Sequence, residues 1–199
     1  MSNIVFRPWV GSSYVTGGIF GKRIMVLGES HYCASKKDAV PSLTNDVVET
    51  YLDKDAEREG WMNTYLKFER SLVGHETSAS ESKRIWDSLL FYNYLQVAMT
   101  EPREAGMDAE YRAAEEPFFE VLEKFRPQYV IVWGQRLWNY LPGGVRWTWN
   151  PDIVVDGSIN KCGNYALKDG TKVKVMAVNH PSTAYSWDYW HRVMMELMK

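Results

Sequence analysis

The stretch from Met107 to Pro127 runs without a linker into Tyr129-Val130-Ile131-Val132-Trp133-Gly134, and that join constrains the fold more than any other feature of the chain. Met107, Tyr111, Ala114, Phe118, Val121, Leu122 and Phe125 recur every three to four residues, which gives a helix one apolar face. Pro117 kinks or divides that helix, and Pro127 ends it. The residues that follow are uniformly apolar and stop at a glycine, the pattern of a strand buried on both faces. A helix feeding directly into such a strand is an α/β unit. Arg23-Ile24-Met25-Val26-Leu27-Gly28 repeats the strand pattern earlier in the chain. Thr171 to Val178 supplies a third strand, and Asp169-Gly170 marks a tight hairpin turn joining it to Tyr165-Ala166-Leu167-Lys168. The expected fold class is α/β, with a central, mostly parallel sheet and helices on both faces in a three-layer α/β/α sandwich.

The remaining segments are less regular. Phe6 to Phe20, rich in Gly, Ser and aromatics, reads as an irregular loop. Thr44 to Leu72 reads as a charged surface excursion of two helices broken near Gly60, and Val73 to Ser82 as a loop. Lys83 to Thr100 reads as a helix or a helix running into a loop, with Ile85, Leu89 and Tyr92 on one face. Gln135 to Leu141 forms a short helix stopped by Pro142-Gly143-Gly144, and Ala184 to Lys199 a closing helix.

With 199 residues, 45% of them hydrophobic, residues 1–199 suffice for one domain with a full core. There are no internal repeats. No apolar run approaches the roughly 18 residues of a membrane helix, and no basic start followed by an apolar run marks a signal peptide. A cytoplasmic location is the expectation. Two cysteines, Cys33 and Cys162, are too few for an all-cysteine zinc or iron–sulfur site, and a disulfide between them does not suit that compartment. The 23 Lys and Arg against 25 Asp and Glu give a net charge of -2, so there is no overall basic excess of the kind phosphate-binding proteins carry.

In open α/β sheets ligands bind beyond the carboxyl ends of the strands. That rule selects Glu29, Ser30, His31 and Tyr32 after the first strand, and Asn179, His180 and Ser182 after the last. Pro181 stiffens the loop that carries His180, and Ser182 is placed to cap the closing helix. A rigid imidazole ahead of a helix N-terminus suits a developing negative charge.

Gly28-Glu29-Ser30-His31-Tyr32, Phe91-Tyr92-Asn93, Val132-Trp133-Gly134 and Asn179-His180-Pro181-Ser182 resemble, in kind and order, the motifs of the uracil-DNA glycosylase superfamily. The matches span residues 23 to 182, and the His-Pro-Ser element is the most specific. The resemblance implies a glycosylase-like α/β/α domain that hydrolyses the N-glycosidic bond of uracil or another deaminated base in DNA. His180 would donate to the base carbonyl oxygen that becomes anionic, and Glu29 or Ser30 would sit where the family positions its water. Asn93 would read the base edge, Tyr32 or Phe91 would stack on the extruded base, and His31 and Ser182 complete the implied base-binding set. Thr183-Ala184-Tyr185-Ser186-Trp187 replaces the short loop the family wedges into DNA, and Tyr185 would either serve as that wedge or simply pack. No cofactor is implied.

The departures are specific. Ser30 stands where the most active branches have aspartate, and it is no base near neutral pH unaided. His31 replaces the usual proline, and residues 33–82 are a helical insertion that the minimal fold lacks. Metal ligation by Glu29, His31, His180 and His75-Glu76 has no helical His-x-x-x-His or paired-cysteine spacing behind it. Ser30 as a nucleophile lacks the second glycine of a nucleophile elbow. Trp133, Trp138, Trp147 and Trp149 are read as packing residues before base-stacking ones. Two rivals stand beside the glycosylase: a non-catalytic module on the same fold that binds a nucleobase, nucleotide or protein, and a hydrolase of a small nucleoside.

Overall fold

The computed structural model describes residues 3–101 and 104–199. Its centre is a seven-stranded mixed sheet in the order β1-β4-β2-β6-β11-β10-β7. The strands are β1 (Trp9–Val10), β2 (Ile24–Gly28), β4 (Leu89–Asn93), β6 (Tyr129–Trp133), β7 (Trp147–Trp149), β10 (Cys162–Ala166) and β11 (Lys172–Val178). Two short ladders stand apart: β3 (His31–Tyr32) with β5 (Ala98–Met99), and the hairpin β8 (Ile153–Val155) with β9 (Ser158–Asn160). The four inner strands β4, β2, β6 and β11 are parallel, while β1, β10 and β7 pair antiparallel toward the edges.

The inner strands are apolar without alternation because both faces are covered. All five residues of β2 are buried, as are all five of β4. Helices α1 (Leu43–Leu52), α2 (Met62–Val73), α3 (Ala79–Trp86) and α7 (Trp187–Leu197) cover one face, where Val48, Tyr51, Phe68, Trp86 and Met194 meet Ile24, Val26, Phe91 and Trp133. Helices α4 (Asp108–Ala113), α5 (Glu115–Phe125) and α6 (Gln135–Tyr140) cover the other, where Tyr111, Phe118, Val121 and Leu137 meet Met25, Leu27, Val130 and Val132. Pro117 stands at the third position of α5, inside the first turn, where its missing N–H has no intrahelical partner to lose.

Several expectations need correction. Leu89–Asn93 is a strand, not the continuation of a helix. Its run Leu-Leu-Phe-Tyr-Asn is buried on both faces, so no alternation distinguishes it from a helical segment. The helix before it begins at Ala79, inside the expected loop, with the Ser78 side chain accepting from the Glu81 backbone N–H at 3.4 Å. The stretch Thr44 to Leu72 does hold two helices but is no surface excursion. Tyr51, Met62, Tyr65, Phe68 and Leu72 form one wall of the core, and the charges of residues 53–60 lie in the exposed turn between α1 and α2. Trp9–Val10 adds an edge strand to what reads as loop. The closing helix starts at Trp187, not Ala184.

Candidate functional site

The carboxyl ends of the parallel strands are level. Gly28 is in register with Asn93, Leu27 with Val132, and Val178 with Trp133. From β2 the chain departs to the helices on one face, and from neighbouring β6 it departs to α6 on the opposite face. The crevice opened between strands that part this way is where open sheets hold ligands. Glu29 leaves β2 on one side of it and Arg136, in the first turn of α6, enters from the other.

Glu29 is held by donors. Arg136 Nε lies 2.7 Å from its Oε1 and 3.0 Å from Oε2, Arg136 Nη2 lies 2.8 Å from Oε2, and the Tyr111 hydroxyl donates to Oε1. This is the forked geometry in which guanidinium and carboxylate pair most strongly. The Tyr111 ring stacks flat on Tyr140 at 3.7 Å, and the Tyr140 hydroxyl donates to Asp108 at 3.1 Å. Burial, with the hydrogen bond to Glu29 adding to it, pushes the Tyr111 phenol well above its ordinary value, so it stays a donor. The exposed Tyr32 lies close enough to Arg136 to act on its charge.

His180 closes the crevice from β11. Its Nδ1 accepts from the backbone N–H of Ser182 at 3.2 Å, and the Ser182 hydroxyl is 2.7 Å away. A nitrogen that accepts from an amide carries no proton, so the neutral ring has its proton on Nε2. Burial lowers the His180 pKa, with Glu29 opposing and Arg136 adding to that shift, so the ring is neutral at pH 7. Trp133 meets it edge-on at 6.1 Å, and Gly134, at φ 99°, keeps open the space beside the His180 Cβ. The chain turns at Pro181, with Thr183 N–H and Oγ1 both donating to the His180 carbonyl.

Asn93 and His31 form a second, buried group. Asn93 Nδ2 lies 3.2 Å from His31 Nδ1 and 3.0 Å from Nε2, and His31 Nε2 lies 2.8 Å from the Thr44 hydroxyl of α1. Asn93 and His31 are each 4% exposed. The Ser30 hydroxyl is buried and has no hydrogen-bond partner among the described residues.

Glu29, Ser30, His31, Tyr32, Asn93, His180 and Ser182 thus stand at one end of the sheet. Two implied residues do not join them. Phe91 is 1% exposed and packs among Tyr65, Trp86 and Trp133, because alternate positions of β4 face the helical wall. Tyr185 does not project. Its hydroxyl is 2.7 Å from Ser71 Oγ and its ring stacks on Trp190. Ser182 does not cap α7, whose N-cap position is Ser186, so no helix start lies behind His180. Trp138, Trp147 and Trp149 pack edge-to-face on one another at the far side of the sheet. Arg136, Tyr111 and Thr44 are given no place at the site by the sequence, where Tyr111 counts only toward an apolar helix face. Only Arg136 carried a signal, as a cation one residue into the helix after a strand ending in glycine.

Among the described residues, no three His, Cys, Asp or Glu side chains come together as metal ligands would. No described helix is long and apolar enough to cross a membrane. Cavities of 560 and 410 Å³ lie elsewhere, the first beside Phe119, Glu123 and Arg146, the second beside Arg58 and Asn63. The fold and this site define an α/β domain with a polar crevice of neutral histidine, paired carboxylate and exposed tyrosine at the carboxyl end of parallel strands. No family model matches the chain, and no curated protein matches it.

Proposed function

We propose that the chain is a divergent member of the uracil-DNA glycosylase superfamily, a three-layer α/β/α domain that cleaves the N-glycosidic bond of uracil or another deaminated base in DNA. The observation that carries this reading is the fixed tautomer of His180, a neutral ring with Nε2–H as a donor and no described partner on that nitrogen. As the glycosidic bond breaks, its electron pair leaves with the base, and a carbonyl oxygen of the base gains negative charge. A preorganised donor there contributes about 3 kcal/mol to barrier lowering. Water adds to the sugar carbon, the proton it loses neutralises the departed base anion, and Tyr32, exposed beside Arg136, is the aromatic that would stack on the base. Glu29 offers its negative charge to the cationic sugar, attenuated by Arg136.

A second reading is a module on the same fold that binds a nucleobase, nucleotide or small nucleoside. The pairing of Glu29 with Arg136 and Tyr111 favours it, because a carboxylate filled by donors is a poor base toward water. Incubation with uracil-containing single- and double-stranded DNA, followed by cleavage at abasic sites, separates the two. The glycosylase reading expects strand breaks that fall about a hundredfold in His180→Ala. Intact DNA on uracil, hypoxanthine and xanthine substrates, with saturable binding of a free base, selects the second reading.

A further inference from the structure

His31 is unlike the other histidines in that it lies wholly inside the protein with a polar group on either side. A neutral imidazole has one N–H and one bare nitrogen. The amide nitrogen of Asn93 lies 3.2 Å from Nδ1 and 3.0 Å from Nε2, and the Thr44 hydroxyl lies 2.8 Å from Nε2, so the ring meets an amide and a hydroxyl inside the protein. Phe6 meets the ring edge-on at 5.0 Å. Gly28 leaves room for the Asn93 carbonyl oxygen, which would stand 2.1 Å from a Cβ at that position. The imidazole is thus surrounded by a primary amide, a hydroxyl and an aromatic ring.

We propose that His31 is the resting occupant of a binding site for planar nitrogen heterocycles, and that a ligand reaches Asn93 by displacing this ring. The inference rests on the glycosylase reading for the identity of that ligand, since the resemblance behind that reading implies that Asn93 reads the base. The backbone carrying His31 is suited to release. It belongs to β3, a two-residue strand whose ladder is with two-residue β5, and it is followed by exposed Tyr32. Segments with so few ladder bonds open at a smaller free-energy cost than core strands. Burial holds the ring neutral at pH 7, so its departure requires no change of charge. While the ring is in place, the apparent affinity for any ligand of Asn93 is reduced by the fraction of molecules that are open.

The test uses imidazole as the probe and the full chain carrying His31→Gly. The variant is expected to bind imidazole saturably in calorimetry, at least tenfold tighter than the wild type. Adding Asn93→Leu to it is expected to weaken that binding at least tenfold. If His31→Gly is unfolded alone, imidazole is expected to restore the fold as its concentration rises, and acetamide is not. A folded His31→Gly without saturable imidazole binding, or an unfolded one that imidazole does not rescue, overturns the proposal. Uracil binding at least tenfold tighter to His31→Gly than to the wild type supports both this proposal and the nucleobase reading. Imidazole binding without uracil binding supports the proposal and removes the nucleobase reading.

Discussion

The guanidinium of Arg136 grips both carboxylate oxygens of Glu29 across the crevice between β2 and β6, with Nε 2.7 Å from Oε1 and Nη2 2.8 Å from Oε2. The Arg136 side chain is 39% exposed and that of Glu29 only 11%, so the pair lies between a surface bridge and a buried one. Arg136→Ala leaves a mostly buried carboxylate with Tyr111 as its remaining described donor. The expected loss is about 1–2 kcal/mol, above a surface pair and below a buried one. Arg136→Lys keeps the charge but not the fork, and urea unfolding should place it between the two.

His31 makes stability depend on pH. Burial lowers its pKa from 6.5 to about 4. As pH falls below 6.5 the unfolded chain takes up a proton that the folded chain refuses. Stability present above 6.5 is therefore lost on the way down to about 4, by about 3 kcal/mol in all. Comparing urea midpoints of the wild type and His31→Gln at pH 7, 5.5 and 4 isolates this part. Equal pH slopes in the two proteins would count against a buried neutral ring.

Ser182→Ala separates the two contacts on His180 Nδ1. The hydroxyl goes, but the backbone N–H stays, so nitrogen-15 NMR at pH 7 should still find the proton on Nε2. On the glycosylase reading, excision of uracil falls less than tenfold in Ser182→Ala, against about a hundredfold for His180→Ala. A switch of tautomer in Ser182→Ala would assign control to the hydroxyl instead.

Glu69 is fully buried on α2 and accepts from the Ser82 hydroxyl at 2.5 Å, from Trp86 Nε1 at 3.1 Å and from the Thr77 hydroxyl. Glu69→Gln turns one oxygen into an NH2 group that faces donors. The expected cost is about 2–3 kcal/mol, since buried polar groups are left unmatched. Trp86→Phe removes one donor and disturbs the aromatic wall as well, so thermal unfolding of Thr77→Val is the cleaner comparison, at about 1 kcal/mol.

Gly28→Ala puts a methyl group 2.1 Å from Asn93 Oδ1 and 3.3 Å from the Phe91 ring. The amide must turn away from His31, and about 1–3 kcal/mol of stability should go with it, the usual cost of overpacking a close contact. Asn93→Ala in the same background removes the collision and should recover part of the loss in a double-mutant cycle.

The sequence by itself determined the elements whose signal is local. Ile24–Gly28 and Tyr129–Trp133 are uninterrupted apolar runs bounded by glycine, Lys172–Val178 follows a turn pair and becomes wholly apolar after Lys174, and polar residues follow all three at the same edge. The break between α4 and α5, the helix after Gly134 and the turn at Pro181 follow from residues within a few positions. Leu89–Asn93 escaped because burial on both faces erases the period that separates strand from helix. Only the tertiary structure decided that the charged segment 33–82 builds a core wall, that Phe91 and Tyr185 pack inward, and that Asn93 is already engaged by His31. It alone set Arg136 against Glu29, 107 positions apart, where two strands send the chain to opposite faces. Such pairings depend on strand order and on which groups lose water together, and neither quantity is written in any short stretch of chain.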